Sequence, residues 1–329
     1  MVENAGSFPT PQARRAINHL VTHCGGVLRG ENVFVVCDAL TRDIADVFVL
    51  QGQELGAKVS LAQIPDLDRH GLEPPAAVGE QMLAADLTIS LCRSSLAHSH
   101  ARRASAASGR FLSLPQYSLD LLCDPSIMVD YEAQAATVRK FADAFTSGSE
   151  IRVTTRLGTD LALRIDGRVG NCCPGFVRKA GDLGSPPDIE ANVSPIETSA
   201  EGIAVIDGSI ACSELGLLSA PVTLRLENGR VVAMDSPLEE YVEVLTQMLG
   251  PSRSPRRVLA ECGVGLNPKA RLTGAMLVDE GTLGCVHLGF GANHAVGGCN
   301  VVDFHLDFLM REASLWVDGV SMIRDGALQ

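Results

Sequence analysis

The apolar positions change their period part-way along the chain. From Pro11 to Cys24 they recur at helical spacing, with Thr10 placed as the cap, Pro11 in the first turn and Gly25-Gly26 just past the end. Asn32 to Cys37 is a short apolar run that reads as a buried strand. The two patterns then alternate: helix Arg42 to Leu55 closed by Gly56, strand Lys58 to Ala62, helix Pro74 to Ala84, strand Leu87 to Leu91, helix Ala97 to Ser108 and strand Phe111 to Leu114. Such alternation predicts a parallel sheet with helices on both faces, a Rossmann-like α/β domain over residues 1–147. A long helix, Tyr131 to Thr146, ends it before Gly148.

Beyond Gly148 the period becomes two. Ile151 to Leu157 and Asp160 to Ile165 flank Gly158-Thr159, and Val222 to Leu226 and Arg230 to Met234 flank Asn228-Gly229, a strong hairpin turn. Trp316 to Ile323 contains Asp318-Gly319 and reads the same way, while Pro237 to Leu249 is helical. The expectation is a strand-rich, antiparallel α+β domain over residues 148–329. No phosphate-binding glycine pattern follows the first strand, where Asp38-Ala39-Leu40-Thr41 stands instead, so the α/β layout predicts no nucleotide. His98 and His100 fall in a polar, helical segment, where residues two apart do not face one way, and read as surface.

The chemistry concentrates between Glu261 and Asp307. Three of the eight histidines, His287, His294 and His305, lie there among carboxylates and glycines. Val301 to Leu309 has strand character, so His305 and Asp307 project together, Asp303 shares their face, and Phe304, Leu306 and Phe308 point the other way. On Val286 to Phe290, His287 shares a face with Gly289 and Gly291, which leave open volume beside it. Imidazoles and carboxylates together form the ligand set of a metal site with mixed nitrogen and oxygen donors. A second acidic stretch, Asn192 to Gly202, leads into a strand Ile203 to Ile206 and offers Glu197 and Glu201 as further oxygen groups.

Composition narrows the partners. A net charge of −12 argues against nucleic acid and anionic membrane surfaces. No apolar run reaches membrane-spanning length, and Met1 to Arg15 lacks a leader core. Ten cysteines occur with no Cys-x-x-Cys pair, which fits reduced residues in a cytoplasmic protein. The vicinal pair Cys172-Cys173 reads as loop packing. Aromatics make up only 4%, so the core is expected to be built from Ala, Val, Leu and Ile.

Five stretches carry a resemblance: Ser194-Pro195-Ile196-Glu197-Thr198-Ser199-Ala200-Glu201-Gly202, Ala260-Glu261-Cys262-Gly263-Val264-Gly265-Leu266-Asn267-Pro268, Asp279-Glu280-Gly281-Thr282, His287-Leu288-Gly289-Phe290-Gly291 and His305-Leu306-Asp307. Together they are similar to the aminopeptidase T metallopeptidases, and equally to that superfamily's other branch, the 2,5-dihydroxypyridine ring-cleaving dioxygenases. The resemblance covers the C-terminal half in motifs and the N-terminal half in layout.

By that resemblance Glu197, Glu261, His287, His305 and Asp307 match the five ligand positions of the two-metal aminopeptidases. His294 stands where those enzymes carry a catalytic tyrosine. In the dioxygenases two histidines and an aspartate hold one ferrous ion, the position of Glu261 is a histidine and that near His287 is apolar. The chain thus carries the aminopeptidase ligand set on a dioxygenase-sized frame. The resemblance also implies a homodimer.

The first functional expectation is a metal-dependent hydrolase of amide or peptide-like bonds in a small molecule or short peptide. Zinc, cobalt or manganese would activate a water, Glu201 or Glu280 would serve as general base, and His294 would donate to the developing oxyanion. The alternative is a non-haem Fe(II) dioxygenase that opens a hydroxylated aromatic ring, with His287, His305 and one carboxylate as its facial triad. A structural metal protein ranks last, because structural sites favour cysteine ligands.

Overall fold

The computed structural model describes residues 9–212 and 214–329; the first eight residues, part of the segment read as lacking a leader, lie outside it. The described chain divides into two compact units. One takes the residues up to Tyr131 together with Gly175–Pro186, and the other takes Glu132–Pro174 and Pro187–Gln329.

The first unit is the expected parallel α/β layer. Its strands run in the order Lys58–Gln63, Asn32–Cys37, Leu87–Ser90, Arg110–Ser113 and Leu183–Gly184, all neighbours parallel. Thr10 does cap the first helix, its hydroxyl accepting from the Ala13 amide at 3.2 Å, and the last turn loosens into a π-helix over Leu20–Cys24. The helix expected over Ala97 to Ser108 is shorter, His100–Ser105, because the Ser99 hydroxyl accepts from the Arg102 amide and so fixes the start. His98 and His100 are exposed there. A cavity of about 490 Å³ lined by Leu40, Ile44, Arg93, Tyr117 and Leu119 opens in this unit and contains none of the candidate site residues.

The second unit is built on two antiparallel sheets. The eight-stranded one contains all three expected hairpins, with Asn228 and Asp318 at positive φ in their turns. The seven-stranded one runs in the order Gly216–Leu217, Ser209–Ile210, His305–Met310, Val286–Gly291, Leu259–Gly265, Glu190–Val193 and Asn171–Cys173. Its apolar face is closed by Phe290 and Phe308, whose rings meet edge to face at 5.0 Å. Burying two aromatics side by side on adjacent strands pins the register, since a one-residue slip would turn both toward the other face.

Two further expectations need correcting. The strand expected from Val301 begins only at His305. Val301 is 73% exposed, and the four residues before His305 belong to a loop held by the bond from the Ala292 amide to the Phe304 carbonyl. Asp303 therefore lies off the strand that presents His305 and Asp307. Cys172 and Cys173 are not loop residues but part of the sheet's edge strand, Cys173 opposite Glu190.

Among the described residues, no helix is long and apolar enough to cross a membrane.

Candidate metal centre

One face of the seven-stranded sheet gathers the site. Directly opposed residues on antiparallel strands share a face. Gly263 pairs with His287 and with Asn192, Gly265 with Glu190, Glu261 with Gly289, Gly289 with Asp307, and Gly291 with His305. Glu190, Glu261, His287, His305 and Asp307 therefore rise from the same side. A β-bulge between Leu259 and Glu261 sets the register that brings Glu261 into line.

The glycines between them are what make room. A β-carbon on Gly263 would stand 2.0 Å from His287 Nε2, and one on Gly289 would come within 2.8 Å of both His305 and Asp307. Small residues at these positions form a floor on which the larger polar groups lie.

The distances make two adjoining clusters. His287 Nε2 lies 3.1 Å from Glu190 Oε2 and 3.5 Å from Glu261 Oε1. His305 Nε2 lies 3.7 Å from Glu261 Oε2 and 3.4 Å from Asp307 Oδ1. Each oxygen of Glu261 thus faces a different histidine. Ligand atoms of Glu190, Glu261 and His287 all fall within 4.8 Å of one another, close enough for one ion. His287 and the carboxylates Glu190, Glu261 and Asp307 are buried, whereas the His305 side chain is 34% exposed and forms the rim.

Their electrostatics follow from that packing. Burial pulls His287 down, yet the Glu190 and Glu261 carboxylates hold it well above its ordinary range. Burial acts the same way on His305, and Asp307 and Glu261 outweigh it, raising the imidazole to about 10. Asp307 is pushed up by burial but pulled down further by His305 and His287, to about 2. Two acids outside the expected ligand set join the cluster. Burial raises Asp188 well above the carboxylate range, helped by Glu190, and raises Glu280 likewise, helped by Asp307. Burial also raises the Cys173 thiol, with Glu190, Asp188 and Glu261 adding to it.

These residues fit a divalent cation. The buried atoms His287 Nδ1, Asp188 Oδ1 and Glu280 Oε1 have no hydrogen-bond partner. Buried polar atoms are rarely left in that state without a ligand or water. Carboxylates outnumber imidazoles in the cluster, an excess of negative charge that a bound cation offsets. The donor set, nitrogen and oxygen without close thiolate, suits iron, manganese, cobalt or zinc. His305 Nδ1 lies 2.9 Å from the Ala292 carbonyl, which places the proton on Nδ1 and leaves Nε2 facing the cluster, as in a histidine that ligates through Nε2.

Not every expected residue is brought here. Glu197 points to the loop between the two histidine strands, where it accepts from Asn293 and Cys299 and pairs with Arg168. Glu201 is exposed, and its carboxylate accepts from the Asn228 amide of a hairpin turn at 2.7 Å. His294 is exposed on the same loop as Asn293. Glu280, in contrast, lies among the cluster's carboxylates with its Oε1 buried, while its neighbour Asp279 is structural, accepting from Ser209, Thr273 and Gly274. Sequence reasoning passed over Asp188 and Glu190. Their signal was there, since Asp188 to Val193 alternates polar and apolar residues before a recognised motif.

The model of the NicX family, 2,5-dihydroxypyridine 5,6-dioxygenase, matches residues 14–329. Among curated proteins, none matches the chain's sequence. The fold is similar to that of 2,5-dihydroxypyridine dioxygenase from Pseudomonas putida KT2440, at a TM-score of 0.84 and 18% identity over 98% of both chains. It is also similar to AmpT from Thermus thermophilus, at a TM-score of 0.67 and 16% identity over 96% of this chain and 98% of that one. With a family match across nearly the whole length and a donor set suited to divalent metal, the chain belongs to the 2,5-dihydroxypyridine 5,6-dioxygenase family.

Proposed function

We propose that the protein is a ring-cleaving dioxygenase acting on a hydroxylated pyridine or a similar small aromatic. The observation that carries this reading is the family match over residues 14–329, which takes in both units and not the metal-binding one alone. It displaces amide hydrolysis, the first expectation from the sequence, into second place.

In this reading His287 with Glu190 and Glu261 would hold the ion, and His305 and Asp307 adjoin it. A ferrous ion held this way supplies the one-electron chemistry by which dioxygen reacts with an aromatic ring. The chain's own groups do the rest. The Ala292 carbonyl keeps His305 in one tautomer. Glu280 and Asp188, held toward their protonated forms by burial and by neighbouring carboxylates, would exchange a proton with a substrate hydroxyl. The apolar layer of Leu288, Phe290 and Phe308 behind the sheet keeps water from that side.

One observation favours hydrolysis as a second reading. Glu261 offers separate oxygens to two histidines, and Glu190 adds a further carboxylate, an arrangement suited to a pair of ions holding a water between them.

Anaerobic loading with ferrous iron, followed by 2,5-dihydroxypyridine in air-saturated buffer, tests the proposal. Oxygen uptake equimolar with loss of the ring absorbance is the expected result. No uptake from the iron form, with amine release from aminoacyl amides by the cobalt or zinc form, would overturn it in favour of hydrolysis.

A further inference from the structure

We infer that Glu197 is not a metal ligand in this chain but the anchor of the loop over residues 292–304, and that Glu190 takes the ligand place which family resemblance gives to Glu197. The inference rests on the reading of the site as a metal centre, although its loop half stands without it.

Both oxygens of Glu197 are already engaged. Oε1 accepts from Asn293 Nδ2 at 2.9 Å, from the Cys299 amide at 2.7 Å and from the Cys299 thiol at 3.2 Å. Oε2 accepts from Arg168 Nη2 at 2.5 Å, and the other arm of that guanidinium reaches the Gly297 carbonyl at 2.6 Å. A carboxylate with four such donors would have to surrender them to reach an ion. Cys299 and Asn293 hold its pKa at about 2 against the upward push of burial, so it remains an anion at any working pH. Glu190 is more lightly held, with Oε1 accepting from Asn192 Nδ2 at 2.7 Å. It is buried, its Oε2 has no aligned donor, and that atom faces His287 Nε2.

What Glu197 holds bears on the metal. The loop joins the strand of His287 to the strand of His305. Asn293, tied to Glu197, follows Ala292, whose carbonyl sets the tautomer of His305. Asn293 also closes the loop on itself, its Oδ1 accepting from the Asn300 amide at 2.7 Å. The route runs from Glu197 through Asn293 and the Ala292 carbonyl to His305 Nδ1, which makes Glu197 a positioning residue.

Three variants test this, with metal content by mass spectrometry and amide hydrogen exchange as readouts. E190A is expected to weaken cobalt binding by about tenfold or more, as removal of a ligand should. E197A and R168M are expected to retain full cobalt content, to exchange the Asn293, Cys299 and Asn300 amides about tenfold faster, and to leave exchange in the Asn32–Cys37 strand unchanged. The cobalt visible band should shift in E197A, because His305 loses its fixed orientation. Loss of cobalt from E197A equal to that from E190A would overturn the ligand assignment. Unchanged loop exchange in both E197A and R168M would overturn the anchor. If the wild-type protein binds no cobalt, the metal reading fails while the exchange measurement still decides the anchor.

Discussion

Gly263 lies so close beneath His287 that a β-carbon there would stand 2.0 Å from Nε2. The histidine can keep its orientation only because that position carries no side chain.

Gly263→Ala should therefore turn the His287 ring away from Glu190 and Glu261. Metal affinity is expected to fall about ten- to hundredfold, with the far-ultraviolet circular dichroism retained. Affinity equal to that of the wild type would show that His287 is not a ligand.

Glu261→Gln should lower metal content more than Glu280→Gln. The first change removes charge and donor from a group facing both histidines. The second replaces a carboxyl already pushed toward its neutral form with a neutral isostere. Equal losses in the two variants would contradict the assignment.

The metal-free protein should show a defined pH window. His305 is raised from 6.5 to about 10, so its contribution is complete below 6.5 and is lost as pH rises through about 10. Asp307 is lowered from 3.8 to about 2, so its contribution is present above 3.8 and is lost as pH falls through about 2. Both are whole between about pH 4 and 6.5, but Asp188, Glu261 and Glu280, raised by burial, lose stability as pH climbs, so Tm of the metal-free form should be highest toward the acid end of that window. Metal must expel the His305 proton, so affinity should climb with pH, and calorimetry in buffers of different ionisation heat should reveal proton release. Binding independent of pH would count against His305 as a ligand.

Phe290→Ala removes one partner of the edge-to-face pair behind the site. A cost of about 3–5 kcal/mol is expected by urea denaturation, with weakened metal binding as the sheet loses its backing. A loss under about 1 kcal/mol would mean that the sheet is supported elsewhere.

Glu201→Gln should leave metal content and turnover unchanged. Its carboxylate is exposed and serves a hairpin turn, so stability should move by less than about 1 kcal/mol. A large loss of turnover would restore it as a general base.

The fold and half of the site could be read in the sequence, for reasons that differ by residue. Asn32–Cys37 was found to the residue because a buried parallel strand is apolar throughout. His305 and Asp307 were paired correctly because a two-residue spacing on a strand needs no tertiary information. Where contacts between distant segments decide, the sequence pattern was silent. Glu190 enters the site through a strand pairing with Gly265, far along the chain. Glu197 leaves it because Arg168, Asn293 and Cys299, far apart in the chain, converge on its carboxylate. The beginning of the His305 strand was misjudged because Val301 and Val302 look like strand residues, although the loop bonds of Ala292 and Asn293 claim that segment.

Glu261 turns one oxygen to His287 and the other to His305. A histidine at the same place would present a single nitrogen to the cluster and could serve one ion only. Glutamate can serve two at once. A single substitution at residue 261 is therefore expected to change the stoichiometry of the centre without moving a strand.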